Sequence, residues 1–461
     1  MTQSGSGSNG EELFRQLGAY VQGEMERLGV PGVGIGVQFG GQEYLAGFGV
    51  TSITNPLPVD GDTIFQIGST TKTFTATAAM RLVEQGKLDL DAPVRRYIPS
   101  LELASEETAA RLTLRHLFNH TGGWLGDYFD DTGPGDDARA KIVERMVDLP
   151  QLTPLGEVWS YNNSAFYIAG RVIEVVSGLT YEQAIHDLVF SPLGMDRSFL
   201  FPEDVMVYRF AVGHIVGDGE THVALPWGLT RATYPAGAIA STARDQLRYA
   251  RFHMGDGASP SGERLLQRST MDEMQSPTTP AGSNSGAVGI TWMVNDIEGT
   301  RIVRHGGATN GQLSAFDMVP SRGFAITVLT NANRGGELHG NVVEWALNAY
   351  LGLVRPDPAP LEVTTAQLEA YVGRYHAALA DVDLYLQDGE LILRSTPRGG
   401  FPLRDSKPGP ASPPTRLSLR EGELVIGLDS PFKGGRGEFL RGVDGSIEWL
   451  RFGGRIARRE R

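Results

Sequence analysis

Apolar residues return at helical spacing in EELFRQLGAYVQGEMERLG. Leu13, Leu17, Tyr20, Val21, Met25 and Leu28 fall on one face, and Gly29 follows as a C-terminal cap. The spacing predicts a helix from residue 11 onward. GVGIGVQF and QEYLAGFGV flank a Gly-Gly pair and predict a β-hairpin. From about residue 70 to 195 the helical period dominates. FQIGSTTKTFTATAAM turns from a strand-like to a helical pattern, and LTLRHLFNH is a short helix stopped by TGG. SAFYIAGRVIEVVSG and TYEQAIHDLVFSPLG are further helices, each closed by glycine. GTRIVRHGG, GQLSAFDMVP and GFAITVLTN then read as strands between Gly-rich turns, before a final helix in HGNVVEWALNAYLG. The first and last strands are expected to share one antiparallel sheet, with the helical part packed to one side, which is an α+β arrangement.

The pattern changes at RPDPAPLE, a Pro-rich break. Beyond it the apolar runs are short and strand-like, separated by the hairpin signals QDGE, REGE and VDGS. The expected organisation is a disordered Gly/Ser-rich tail (1–10), a first domain (11–354), a linker (355–363) and a small antiparallel β-barrel or sandwich (364–461). The basic end RIARRER reads as a solvated terminus.

Composition narrows the chemistry. The 461 residues are 41% hydrophobic and 21% charged, enough for sizeable cores in two or three domains. A net charge of −13 repels phosphate backbones, so nucleic acid is not an expected partner. With no cysteine, disulfides, thiol nucleophiles and thiolate metal sites are excluded. The start MTQSGSGSNGEELF lacks the basic and apolar regions of a secretory signal, and no membrane-length apolar run follows; a cytoplasmic protein is expected. The nine histidines form no H-x-x-x-H pair, and no Gly-rich phosphate loop is present, so neither a catalytic metal nor a cofactor is expected. Nor is there a G-x-S-x-G elbow.

What remains is a serine and a lysine at the start of a helix. A serine hydroxyl becomes a nucleophile when a base takes its proton. Lys72 lies three residues after Ser69, on the same helical face, and a buried lysine is a neutral base. The helix N-terminus favours a developing oxyanion. A second S-x-x-K, Ser430 to Lys433, carries Pro431 and falls among strands, so it cannot make that face.

Two further elements join the pair. Tyr161 and Asn163 form Y-x-N in a loop just before a helix; a tyrosine near an ammonium is able to shuttle protons. His305, Gly306 and Gly307 end a strand, where a Gly-rich edge accepts a substrate backbone. A competing H-x-G, at His120, follows a helix instead. The acidic stretch GDYFDDTGPGDDA does not match EF-hand spacing and reads as a solvated lid loop; Tyr128, Phe129, Trp124 and Trp227 are candidates to line a pocket.

S-x-x-K, Y-x-N and H-x-G in this order resemble the serine β-lactamase and penicillin-binding protein superfamily, specifically class C β-lactamase-like serine hydrolases. The likeness runs from about residue 12 to 352 and includes IGSTTKTFTA, LTLRHLFNHTGG, PLGEVWSYNNSAFYIAGRVIEVVSG, FSPLGMDRSF and HGGATNGQLSAFDMVP. The tail is similar to the lipocalin-like barrel appended to some members. The resemblance implies a β-lactamase/DD-peptidase-like fold and a metal-free serine hydrolase acting through an acyl-enzyme on small esters, amides or short peptides. It makes Ser69 the acylated residue, with Lys72 and Tyr161 moving its proton. Asn163 would hold the substrate amide or Lys72, and the N–H groups of Ser69 and Ala308 would form the oxyanion hole. His305 would stand where the family has lysine, which weakens the case for a substrate carboxylate and so for β-lactamase or DD-carboxypeptidase action. H-x-G members include esterases, D-amino-acid amidases and peptidases. A non-catalytic penicillin-binding-type sensor is the rival of another class, and a homo-oligomer is compatible with either.

Overall fold

The N-terminal hairpin finds its partner at the far end of the first domain. In the computed structural model, which describes residues 4–217, 219–282, 286–356 and 359–460, β1 (Gly32–Phe39) and β2 (Gln42–Gly49) join six later strands. These are β3 (Thr279–Ala281), β4 (Gly286–Val288), β5 (Met293–Ile297), β6 (Thr300–Ala308), β7 (Leu313–Val319) and β8 (Phe324–Thr330). The order is β2-β1-β8-β7-β6-β5-β4-β3, and β1 runs antiparallel to β8 with Ile35 opposite Val328. Every residue of β8 is buried, which explains its unbroken apolar run FAITVLT.

Two layers cover this sheet. On one face lie α1 (Ser4–Leu28) and a C-terminal helix, Gly335–Leu351; Leu17, Val21 and Leu28 meet Val33, Ile35, Ile326, Val342 and Ala346 there. The other face carries α2 (Thr71–Glu84), α3 (Ser164–Ser177) and α4 (Ala243–Met254), whose Phe74, Phe166 and Tyr249 share a core with Trp292 and Phe316. Among the described residues no helix is long and apolar enough to cross a membrane.

The C-terminal part is a closed antiparallel barrel of β9 (Gly373–His376), β10 (Ala380–Gln387), β11 (Glu390–Pro397), β12 (Thr415–Arg420), β13 (Leu424–Gly427), β14 (Arg436–Arg441), β15 (Ile447–Phe452) and β16 (Arg455–Arg459). Closure comes from β9 pairing with β16, Tyr375 opposite Arg459. Its interior holds a packed core of Leu384, Leu391, Leu393, Leu417, Val425, Phe439 and Leu450. The QDGE signal is a two-residue turn: Asp388 and Gly389 both have positive φ, and Gln387 pairs with Glu390.

Two expectations change. The segment read as a disordered tail is helical from Ser4, because α1 continues across the hairpin, where Gly10 packs against Tyr44 and Phe14 lies 5.5 Å from the same ring. Tertiary contact overrides the poor helix propensity of glycine and serine. Residues 1–3 of that segment lie outside the described residues. The expected linker already belongs to the barrel at its end, since the Leu361 amide donates to Leu419 at 2.9 Å and Pro360 bridges to Arg420. Residues 357–358 of it lie outside the described residues.

Candidate active site

Ser69 sits in a single 3-10 turn, Gly68–Thr70, that leads straight into α2. The turn needs glycine at 68, where φ is +51° and a Cβ would fall 2.4 Å from the Ala308 nitrogen. Gly307 is equally constrained, since a Cβ there would fall 1.9 Å from the Ile67 carbonyl oxygen and 2.7 Å from the Ser69 nitrogen. The start of α2 is thereby pressed against the end of β6, which brings the main chains of Ser69 and Ala308 together. Ser314 of β7 fixes the turn, donating to the Ile67 carbonyl at 2.7 Å and meeting the Thr70 hydroxyl at 3.0 Å. From Thr71 to Met80 every residue of α2 is buried. Its threonines are tolerated because each hydroxyl is bonded, Thr75 to the Pro235 carbonyl and Thr77 to that of Thr73.

Lys72 is wholly buried. Its Nζ lies 2.6 Å from Asn163 Oδ1, 2.6 Å from the Ala236 carbonyl and 3.1 Å from Ser69 Oγ. Nζ donates to the two close acceptors, and a neutral amine here would present its lone pair to the serine hydroxyl across the third, longer contact. Burial drives the Lys72 pKa well below the ordinary amine value; the charge of Arg455 adds to this and that of Asp127 opposes it.

Tyr161 and Asn163 come from the loop entering α3. The Tyr161 ring lies 4.9 Å from Lys72 Nζ, and its hydroxyl is buried near Ser69 without completing a hydrogen bond. Burial raises its pKa, with the Ser69 hydroxyl and the Arg455 charge pulling the other way. Behind it, His120 stacks on the ring at 4.4 Å and accepts the Asn162 amide at Nδ1. The competing H-x-G motif is therefore a support for Tyr161.

His305 lies near the end of β6 with its Nδ1 2.7 Å from the Gly306 carbonyl, a contact that places the ring proton there. Nε2 is then a lone pair, buried without a partner. Burial pushes the pKa down to about 3. His305 is a neutral acceptor and not a substitute for the lysine cation.

The cation comes from the barrel. The turn between β15 and β16 reaches the first domain, where the Gly454 carbonyl accepts the Tyr161 amide at 2.8 Å and Arg451 donates to the Trp159 carbonyl at 2.7 Å. Arg455 follows. Its Nε lies 2.9 Å from Asp127 Oδ2, its guanidinium lies 4.6 Å from the Tyr161 ring, and its side chain is 38% exposed. Asp127 also accepts Asn163 Nδ2 at 2.6 Å, which turns Asn163 Oδ1 toward Lys72.

A cavity of about 380 Å³ opens over Ser69. Tyr161, Asn163, His305, Gly306, Gly307 and Ala308, all singled out in the sequence, border it, and Lys72 lies behind Ser69. Phe129 is a wall residue, but Trp124 and Trp227 are not. Trp124 is a core residue bonded to Ser164, and Trp227 is held by the Ala211 carbonyl. The loop read as a solvated lid is anchored at its start, with Asp127 buried under Arg455 and Phe129 packed on Phe401 of the barrel. Of the terminus read as solvated, Arg455–Arg459 form strand β16 and carry Arg455 into the cavity, while residue 461 lies outside the described residues. Sequence reasoning missed Trp159, Asp127, Leu379, Phe401 and Arg455 as parts of this site.

The beta-lactamase family model matches residues 17–348. Penicillin-binding protein 4 of Amycolatopsis lactamdurans is 32% identical over 347 residues, 72% of this chain and 91% of that protein. SurE, solved with D-Leu, shares the fold across both domains, with a TM-score of 0.74 at 23% identity over 98% of this chain and 100% of its own. An octameric penicillin-binding protein homologue from Pyrococcus abyssi does so with a TM-score of 0.65 at 23% identity, over 96% and 99% of the two chains. With the family model spanning most of the first domain and a relative above 30% identity, the chain belongs to the beta-lactamase family of serine hydrolases and penicillin-binding proteins.

Proposed function

We propose that the protein is a serine hydrolase that cleaves short peptides or amides carrying a D-residue through an acyl-enzyme on Ser69. The observation that carries this reading is the buried, pKa-lowered Lys72 with Nζ 3.1 Å from Ser69 Oγ. A binding protein has no use for such a base.

In this reading Lys72 takes the Ser69 proton as Oγ attacks the carbonyl. The amides of Ser69 and Ala308 receive the oxyanion, each worth ~3 kcal/mol. Tyr161 passes the proton to the leaving amine, and the C–N bond breaks. Water then attacks the ester, with Lys72 and Tyr161 again moving its proton, and the acid leaves while Ser69 regains its hydrogen. Phe129, Leu229, Met293 and Phe401 offer the acyl side an apolar wall, and Arg455 offers a carboxylate its free N–H groups. The D-residue comes from the ligand of SurE. Self-association belongs to the same proposal, because the Pyrococcus abyssi homologue is octameric; sedimentation reads it directly.

The test is hydrolysis of p-nitrophenyl acetate beside D-leucine p-nitroanilide, by wild type and Ser69→Ala. Turnover of both, lost in the variant, is the expected result. Turnover of the ester alone narrows the protein to an esterase, and turnover that survives Ser69→Ala removes Ser69 as the nucleophile.

A further inference from the structure

We propose that Asp127 and Arg455 act together as a positioning pair through which the barrel keeps Lys72 in its neutral, base-competent form. This rests on the reading of Lys72 as the base.

The links are short and directional. Asp127 accepts Asn163 Nδ2 at 2.6 Å, which leaves Asn163 Oδ1 to accept from Lys72 Nζ at 2.6 Å. The Asp127 side chain is only 4% exposed, so its charge is poorly screened. An uncompensated carboxylate one residue removed from Lys72 favours the ammonium and disables the base. Arg455 cancels that charge with two contacts to Asp127, at 2.9 and 3.3 Å. The other titratable side chains around Lys72 are Tyr161, His120 and His305, whose pKa values hold them uncharged near neutral pH. Burial does most to keep Lys72 neutral, and the balance between Asp127 and Arg455 then sets how far its pKa falls.

Arg455 is delivered by the barrel. It follows Gly454, whose carbonyl holds the Tyr161 amide, and the Ile456 amide reaches Ser160 Oγ at 3.4 Å. A barrel out of register would leave Asp127 bare.

The experiment is the pH profile of kcat/KM for p-nitrophenyl acetate, a substrate with no carboxylate for Arg455 to bind. Arg455→Gln is expected to have its acid limb moved up by about one unit, so that the loss approaches tenfold on the acid side of the limb and vanishes at alkaline pH. Arg455→Lys is expected to keep the wild-type limb. Adding Asp127→Asn to Arg455→Gln removes both charges and is expected to bring the limb back. A loss of equal size at every pH, or a double variant no better than Arg455→Gln, overturns the proposal. Failure of the underlying reading looks different: Lys72→Ala would then keep the wild-type acid limb, or a fluorophosphonate would label a serine other than Ser69.

Discussion

The amide of Tyr161 donates to the carbonyl of Gly454 at 2.8 Å, so one domain holds the main chain of a candidate catalytic residue in the other. Gly454 has φ +81°, and a Cβ on it would lie 3.0 Å from the Trp159 ring. Gly454→Val adds both left-handed strain, about 1–2 kcal/mol, and that contact. Because the strain falls on the turn that supports Tyr161, kcat is expected to drop by roughly tenfold or more with a small change in melting temperature. Steady-state kinetics beside calorimetry checks this. A large fall in melting temperature with intact kcat would make the turn structural only.

Arg139 is wholly buried between Glu174 and Glu182, donating to one oxygen of Glu174 and to both of Glu182. It ties the start of the helix at Ala138 to α3 and to the helix at Tyr181. Arg139→Ala removes the buried cation shared by two carboxylates in a site closed to water. The expected loss is about 3–5 kcal/mol of stability, read from urea unfolding. A loss below about 1 kcal/mol would mean that Arg171 and Arg231, which also contact these carboxylates, carry the charge balance alone.

His305 presents a neutral lone pair where the related motif carries an ammonium. His305→Lys returns a cation to that wall of the cavity. KM for substrates with a free carboxylate is expected to fall several-fold, with KM for p-nitrophenyl acetate little changed. Equal effects on both would show that position 305 acts on Lys72 and not on the substrate.

The residues around Ser69 were legible because their relationships are local. Ser69 and Lys72 are one helical turn apart, Tyr161 and Asn163 share one extended loop, and His305 to Ala308 end one strand. Periods of 3.6 and 2 fix such neighbours before any tertiary structure is known. The barrel was legible for the same reason, since Asp388-Gly389 and its like announce hairpins. Arg455 and Asp127 were not. Each sits in a charged run that reads as solvated surface, RIARRER and GDYFDD, and only the docking of the barrel on the first domain brings them within 2.9 Å. The helical start of α1 escaped for a related reason: contact with Tyr44, and not local propensity, orders it.

Buried histidines shape the response to acid, His120 among them. His253, His305 and His339 are each pushed down to about 3, chiefly by burial, from an ordinary value of 6.5. In the unfolded chain they bind protons as pH falls through 6.5, and in the folded protein they resist until about 3. The unfolded state therefore holds more protons throughout that window, and stability must fall as pH is lowered through it, while staying flat with respect to these groups above it. His253 packs against Tyr249 and Trp292 in the core, so leucine is a fair replacement by shape. His253→Leu is expected to reduce the slope of the urea midpoint between pH 6.5 and about 4 by the share of one proton, whatever it does to stability at neutral pH. An unchanged slope would mean that His253 takes up its proton in the folded state.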